Sequence, residues 1–396
     1  MDARTGLPVV GMIGAGQLAR MTHQAAIALG QSLKILADSA EDGAALVASD
    51  VVVGDYRDLA DLRSFARGCD AVTWDHEHVP NEHIRALTAE GVNVHPGADA
   101  LRFAQDKGAM RARLAELGIA SPRWTPVTDP ETLKTFGDEV GWPLVLKATT
   151  GGYDGKGVWV VASPEQARDI LTSGTDLLAE ERVDLVRELA AVVARSPYGQ
   201  AAAWPVVETV QKDGINTEVI APAPGLPNPE AIQQLALTVA AELGVTGVLA
   251  VELFETADGR ILVNELAMRP HNSAHWTIEG SNTSQFEQHV RAVLDYPLGT
   301  TTLTAPVVVS VNLLCPTVAP QASLHPDHDD VQPKALDERM HHTMARWPEV
   351  KIHLYGKAMR PGRKVGHLTV LGDDLATIRA RANAAADYLM NGERDA

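Results

Sequence analysis

The sequence predicts an α/β unit over residues 1–104, an α+β unit over 105–300 and a smaller third unit over 301–396. Three observations carry that division. Short apolar runs alternate with amphipathic stretches through the first unit, the pattern of parallel strands and crossover helices. A glycine turn, Gly14-Ala15-Gly16-Gln17-Leu18-Ala19, stands where the first run ends. From Val145 onward β runs follow one another through glycine-bearing turns, as hairpins do.

Val9–Ile13, Leu33–Leu36, Val51–Val53, Ala71–Trp74 and Val92–Val94 read as buried parallel strands, with helical patterns over 17–30, 58–67 and 81–89 between them. The glycine turn matches G-x-G-x-x-A, and Asp38 falls where a ribose-binding acid stands in dinucleotide-binding chains. Alone, that fingerprint suggests a nicotinamide-dependent dehydrogenase, but the same turn binds other phosphate groups equally well. Helices over 98–104 and 107–117 lead out of this unit. Strands follow at 143–148 and 157–161, then Ser163-Pro164-Glu165-Gln166 as a capped helix start. Further strands are expected at 176–181, 187–194 and 203–210. A proline-rich stretch from Pro222 to Pro229 precedes a helix at 230–243, and two β runs, Gly247–Phe254 and Arg260–Glu265, come next. Apolar residues 306–314 open the third unit, which ends in a helix at 373–390. Its linker, around 316–342, carries His325, His328, His341 and His342. No ligand spacing repeats among them, so they read as solvated loop histidines.

A formal charge of −17, spread along 396 residues, favours solubility and repels nucleic-acid backbones. An anionic substrate must then be held by a local basic cluster. No run approaches the ~18 apolar residues of a membrane span. Cys69 and Cys315 lie far apart and form no metal-ligand pair, a usage that fits a reducing cytoplasm.

The most informative stretch is Val145-Leu146-Lys147 followed by Thr149-Thr150-Gly151-Gly152-Tyr153-Asp154-Gly155-Lys156-Gly157. A strand delivers one lysine, and a glycine-rich loop carries a second. Glycines let backbone N–H groups approach phosphate oxygens while lysines balance their charge. The P-loop pattern fails, because Gly157 follows Lys156 and Thr150 occupies the required first glycine. A flap between two strands remains, since Val158-Trp159-Val160-Val161 resumes β character. Glu252 and Glu265 lie on consecutive strands joined by an Ala257-Asp258-Gly259 turn, so both carboxylates can enter one site. Paired hard oxygen ligands suit Mg²⁺ bridging nucleotide phosphates. Asn264 needs a bend to share the face of Glu265. Downstream, Arg269-Pro270-His271-Asn272-Ser273-Ala274-His275-Trp276 reads as an anion cradle. Ala179-Glu180-Glu181-Arg182-Val183, with Glu188 beyond, has the form of an adenine-binding hinge followed by a ribose-binding acid. Lys357, Arg360, Arg363 and Lys364 gather four cations in an acidic protein and suit a phosphate-bearing ligand.

Taken in order, these pieces resemble the ATP-grasp superfamily, and within it the 5-(carboxyamino)imidazole ribonucleotide synthase family. The resemblance runs from Gly11 to about His367, and its remaining motifs are Asn264-Glu265-Leu266-Ala267 and Arg360-Pro361-Gly362-Arg363-Lys364-Val365-Gly366-His367. It implies an ATP-grasp fold with an N-terminal Rossmann-like (pre-ATP-grasp) domain and a small C-terminal domain that completes the substrate site. ATP is then expected at Arg102, Lys147, Gly152, Tyr153, Asp154, Gly155, Lys156, Gly157, Val158, Glu180, Glu181, Arg182, Val183, Glu188, Gln211, Asn264 and Glu265. The resemblance places Mg²⁺ on Glu252 and Glu265. It places the ribonucleotide at Glu77, Tyr153, Asp154, Lys156, Lys357 and Arg363, and bicarbonate near Arg269, His271 and Asn272. Trp74-Asp75-His76-Glu77-His78-Val79 departs from the Phe-Glu-Phe-Glu-Asn-Val-like string common in that family, and Gln211 stands where histidine is frequent.

The implied reaction is the ATP- and bicarbonate-dependent carboxylation of aminoimidazole ribonucleotide through carboxyphosphate, in purine biosynthesis. Asp154 is the expected group to orient or deprotonate the amine, and Arg269 to stabilise carboxyphosphate. A cytoplasmic homodimer acting on small molecules, with no nucleic-acid or membrane partner, is also implied. The competing expectations are another ATP-grasp ligase of the formate-dependent glycinamide ribonucleotide transformylase type, the nicotinamide dehydrogenase, and a non-catalytic nucleotide sensor.

Overall fold

The computed structural model describes residues 1–152, 156–316 and 335–392, arranged around three sheets. The N-terminal sheet is parallel, in the order Asp50–Val53, Ser32–Ala37, Val9–Ile13, Ala71–Trp74. Alternation of apolar strands with helices Gln17–Ala28, Leu59–Ala66 and Asn81–Ala89 covers both faces, as the sequence pattern requires. The predicted strand at Val92–Val94 does not form: Val94 makes a single bridge to Val72, and Pro96 has no N–H to continue a ladder.

A second, antiparallel sheet runs Trp124–Val127, Leu177–Glu181, Leu144–Ala148, Val158–Val161. Helix Pro130–Val140 packs on it; its N-cap is Asp129, which accepts the Thr132 N–H at 2.7 Å. The helix expected from Ser163 begins only at Arg168–Leu171. The Gln166 side chain instead accepts the Ala162 N–H at 2.8 Å, which ties the segment into turns.

The third sheet has nine strands and is antiparallel throughout. Its order is Ile261–Ala267, Gly247–Thr256, Leu185–Arg195, Val207–Lys212, Ile215–Ala221, Val307–Leu314, Lys364–Gly372, Lys351–Leu354, with Ala201–Ala203 also paired to Leu185–Arg195. The strand expected over 203–210 is broken, because Pro205 has no N–H to carry the ladder past Trp204, whose indole N–H donates to the Thr283 carbonyl at 3.1 Å. Helix Pro229–Glu242 covers one face, where Ile232, Ala236 and Val239 join Leu189, Val193, Leu249, Val251 and Val263 in the core.

The third unit is continuous with this sheet, since Val307–Leu314 pairs directly with Ile215–Ala221. Helix Leu375–Asn391 packs behind it. His341 and His342 belong to helix Leu336–Arg346, a correction to the loop reading, and His342 Nδ1 lies 2.9 Å from the Tyr388 hydroxyl. His325 and His328 fall outside the described residues.

A buried histidine fastens the parallel sheet to the large one. His289, on helix Gln285–Val293, accepts the Val248 N–H at Nδ1 (3.1 Å). That bond fixes the tautomer, so Nε2–H donates to Thr73 Oγ1 at 2.8 Å. Burial pushes its pKa down to about 3, so the ring stays neutral. A side chain at Gly247 would place its Cβ 2.8 Å from the ring, so only glycine admits the histidine there.

Candidate active site

Between the sheets lie two adjoining cavities, of about 750 Å³ and about 590 Å³, which share Gln17, Glu77, Lys107, Gly152 and Arg269. The larger brings together Lys147 from the flap sheet, the segment from Glu180 to Val183, and Glu188, Gln211, Glu252, Asn264, Glu265, His271 and Asn272 from the large sheet and its loop. Gly152 and Val158, at the two ends of the flap, also line it. Tyr153, Asp154 and Gly155 lie outside the described residues.

The acid hairpin forms as its turn requires. Glu252 and Glu265 are direct partners across antiparallel strands, and the register shifts immediately beyond, with Leu253 opposite Val263. Asn264 is therefore the extra residue of a β-bulge. The bulge supplies the bend that turns Asn264 and Glu265 into the same cavity. Glu265 pairs with Lys107 Nζ at 2.9 Å, and Glu252 lies 3.0 Å from His271 Nε2. Burial opposes ionisation of Glu252, but His271, Arg269 and Lys107 hold its carboxyl below the usual range. Glu188 behaves differently. Burial and the neighbouring Glu252 charge push it up to about 7, despite a hydrogen bond from Gln211.

This donor set fits Mg²⁺. Three carboxylates, Glu188, Glu252 and Glu265, line one cavity, where a divalent cation would offset their mutual repulsion. Among the described residues no three metal-binding side chains form a closed cage. Mg²⁺ takes one or two carboxylates and completes its shell with water and phosphate, so an open pair suffices.

Lys147 is 6% exposed, with its ammonium 2.8 Å from Glu180 Oε2 and 3.0 Å from Asn264 Oδ1. Glu180 also meets Arg111, whose Nη2 stands 2.6 Å from Oε1. Burial raises the cost of a charge on Glu180, yet Lys147 and Arg111 hold its carboxyl below the ordinary value.

The smaller cavity is lined by the glycine turn, Asp38, Asp75, His76, Glu77 and Arg269. Glu77 Oε1 accepts the Met268 N–H at 2.6 Å, and its Oε2 lies 3.5 Å from Arg269 Nε. Asp75 closes the turn from within. Its Oδ2 accepts the Gly16 N–H at 2.6 Å, and a Cβ on Gly14 (φ +100°) would lie 1.8 Å from its Oδ1. The glycines thus make room for a carboxylate of the chain itself. A dinucleotide pyrophosphate would find the Gly16 amide already occupied, which removes the physical basis of the dehydrogenase reading.

Burial pushes Asp75 up to about 6, against the opposing Gly16 N–H and the charge of Arg269. The native state therefore holds an extra proton between the ordinary value near 3.8 and about 6. In that window the contribution of this group to stability falls as pH rises. Asp75→Asn should remove the slope: its melting temperature relative to wild type is expected to climb from roughly pH 4 to 6 and level off above. A pH-independent difference would show that Asp75 ionises normally.

Not every expected residue reaches the cavities. Arg102 is exposed, with its guanidinium 4.4 Å from the Phe103 ring, and lines neither one. Lys107, five residues on and the first residue of the next helix, lines both cavities. Lys156 is exposed, Gly157 is half-buried, and neither lines a cavity. Arg363 donates to the Ala358 carbonyl at 3.2 Å, away from the lining, and Lys364 faces the larger cavity. Lys357 meets Gln17 at the junction of the cavities. Lys107, Arg111 and Asp75 escaped the sequence reading. The signal for the first two was an i, i+4 pair of cations beside the buried face of Met110 and Leu114.

Comparison with known families agrees with this architecture. A ribonucleotide synthetase preATP-grasp domain matches residues 7–105, an ATP-grasp domain 112–286, and a phosphoribosylaminoimidazole carboxylase C-terminal domain 309–381. Those three domains in that order define an ATP-grasp carbon–nitrogen ligase. The N5-carboxyaminoimidazole ribonucleotide synthase of Mycobacterium tuberculosis is 56% identical over 391 residues, 97% of this chain and 88% of that one. A solved ADP complex of an N5-carboxyaminoimidazole ribonucleotide synthetase superposes with a TM-score of 0.86 at 31% identity, covering 98% of both chains. The Aspergillus clavatus enzyme in complex with ADP and 5-aminoimidazole ribonucleotide gives a TM-score of 0.83 at 30% identity, over 96% of this chain and 98% of that one. The chain belongs to the N5-carboxyaminoimidazole ribonucleotide synthase family.

Proposed function

We infer that this chain uses ATP and bicarbonate to carboxylate 5-aminoimidazole ribonucleotide at its exocyclic amine, within de novo purine biosynthesis. The observation that carries this reading is the shared wall of the two cavities. Lys147 and Glu265 face one of them, and Glu77 and Arg269 open both. A phosphorylated intermediate can therefore pass from the nucleotide side to the amine side without leaving the protein.

In this reading Lys147, Lys107, Asn264 and the backbone between Glu180 and Val183 hold ATP, with Glu188 and Gln211 near its ribose. Glu252 and Glu265 would hold Mg²⁺, which offsets charge on the transferring phosphoryl group. Arg269, with His271 and Asn272, stabilises carboxyphosphate. The flap from Gly151 to Gly157 shuts out water, because carboxyphosphate hydrolyses readily. Asp154 orients or deprotonates the amine, and Glu77, Tyr153, Lys156, Lys357 and Arg363 receive the ribonucleotide. Functional units over 1–104, 105–300 and 301–396, a cytoplasmic setting and a homodimer complete the proposal. No helix among the described residues is long and apolar enough to cross a membrane.

ADP release across candidate acceptors tests the reading. Aminoimidazole ribonucleotide with bicarbonate should stimulate ADP formation, while formate with glycinamide ribonucleotide should not. The opposite preference would assign the chain to the formate-using ligases.

A further inference from the structure

Arg111 is charged, wholly buried and absent from the lining of either cavity, so its part in the site is indirect. It stands on helix Lys107–Glu116, one turn beyond Lys107. Its Nε and Nη2 approach the same Glu180 oxygen, at 2.8 Å and 2.6 Å, while Nη1 donates to the Val263 carbonyl at 2.9 Å. The other Glu180 oxygen is 2.8 Å from Lys147 Nζ. One carboxylate thus lies between two cations, with all three side chains at most 7% exposed.

The charge sum decides what Lys147 offers a ligand. A buried lysine paired with its own carboxylate is a neutral unit with little attraction left for phosphate. With Arg111 on the far oxygen the triad carries one net positive charge. Arg111 lies behind Glu180 and off the cavity lining, so the triad meets the cavity through Glu180 and Lys147, and the net positive charge it offers a ligand there is that of the Lys147 ammonium. The Val263 contact adds geometry, because it ties the flap sheet to the strand that carries Asn264 and Glu265.

We propose that Arg111 is a positioning residue for ATP use: it neutralises Glu180 from behind, so that the Lys147 charge remains available to nucleotide phosphate. This rests on the reading of Lys147 as a phosphate contact, which Lys147→Met tests separately. If that variant leaves the KM for ATP unchanged, the contact itself is wrong and Arg111 has nothing to support.

The full-length enzyme is assayed for ADP release with wild type, Arg111→Lys, Arg111→Gln, Glu180→Gln and the double variant R111Q/E180Q, below the lowest melting temperature of the set. Arg111→Lys keeps the charge and alters the fork, so its KM for ATP should stay near the wild-type value. Arg111→Gln keeps hydrogen bonding but loses the charge, and its KM for ATP should rise about ten-fold or more, with the KM for the ribonucleotide little moved. Adding Glu180→Gln to Arg111→Gln removes the acid that now cancels Lys147, so most of the ATP affinity should return. A purely structural role predicts the reverse: Arg111→Gln tolerated at least as well as Arg111→Lys, and a double variant no better than Arg111→Gln. Either result overturns the proposal. Should the glutamine variant fail to fold, a ten-fold rise in KM for ATP in Arg111→Lys would count against the charge argument as decisively.

Discussion

Glu265→Gln is expected to lower turnover by about 10²–10³-fold, with part of the loss recovered as Mg²⁺ is raised. The glutamine keeps the volume and one acceptor oxygen of the glutamate, so the hairpin should stand. What it loses is charge at the point where the bulge aims Asn264 and Glu265 into the cavity. A hard divalent cation binds a neutral amide oxygen far less well than a carboxylate. The Lys107 ammonium, 2.9 Å from Glu265 in the wild type, would also lose its counter-charge. ADP release measured against Mg²⁺ concentration, for wild type and variant, reads both effects. Wild-type turnover at ordinary Mg²⁺ would remove Glu265 from the metal set.

Arg269→Met should cost a similar ~10²–10³-fold in kcat while the KM for ATP changes little. The two effects separate because Arg269 lines both cavities, where under the proposed function the intermediate would pass, while Lys147 lines only the larger one. A donor that acts on charge developing in the transition state lowers kcat and kcat/KM together when removed. Arg269→Lys is expected to recover only a small part, since a point charge does not reproduce the planar fork that Glu77 holds in place. Steady-state kinetics with saturating ribonucleotide and varied ATP make the comparison. A large rise in KM for ATP with kcat intact would move Arg269 to the nucleotide side.

Motifs whose chemistry is local were legible in the sequence. The acid hairpin could be read because a tight turn fixes which residues of two strands face each other. The glycine turn and most strands of the parallel sheet followed from period and length. Contacts between distant segments were less accessible. Arg111 reads as an ordinary helix cation until Glu180, 69 residues away, is placed beside it. Asp75 looks like a departure from a family string, and only its 2.6 Å contact with Gly16 gives it a role. The strand expected over 203–210 failed for a further reason, because Pro205 hides a ladder break in an otherwise apolar run. Strands Lys351–Leu354 and Lys364–Gly372 were not read from the sequence, because the cation cluster between them interrupts the apolar pattern.

The shared ladder between Ile215–Ala221 and Val307–Leu314 means that the last ninety or so residues are not a detachable appendage. A fragment ending before Val307 would leave the outward N–H and C=O groups of Glu218–Ala221 facing water, beside apolar side chains at Val219 and Ile220 that are normally covered. Such an open border invites pairing with another copy of itself. The rest of the chain therefore depends for its solubility on the very segment that carries Lys357 to Gln17, and deleting one forfeits the other.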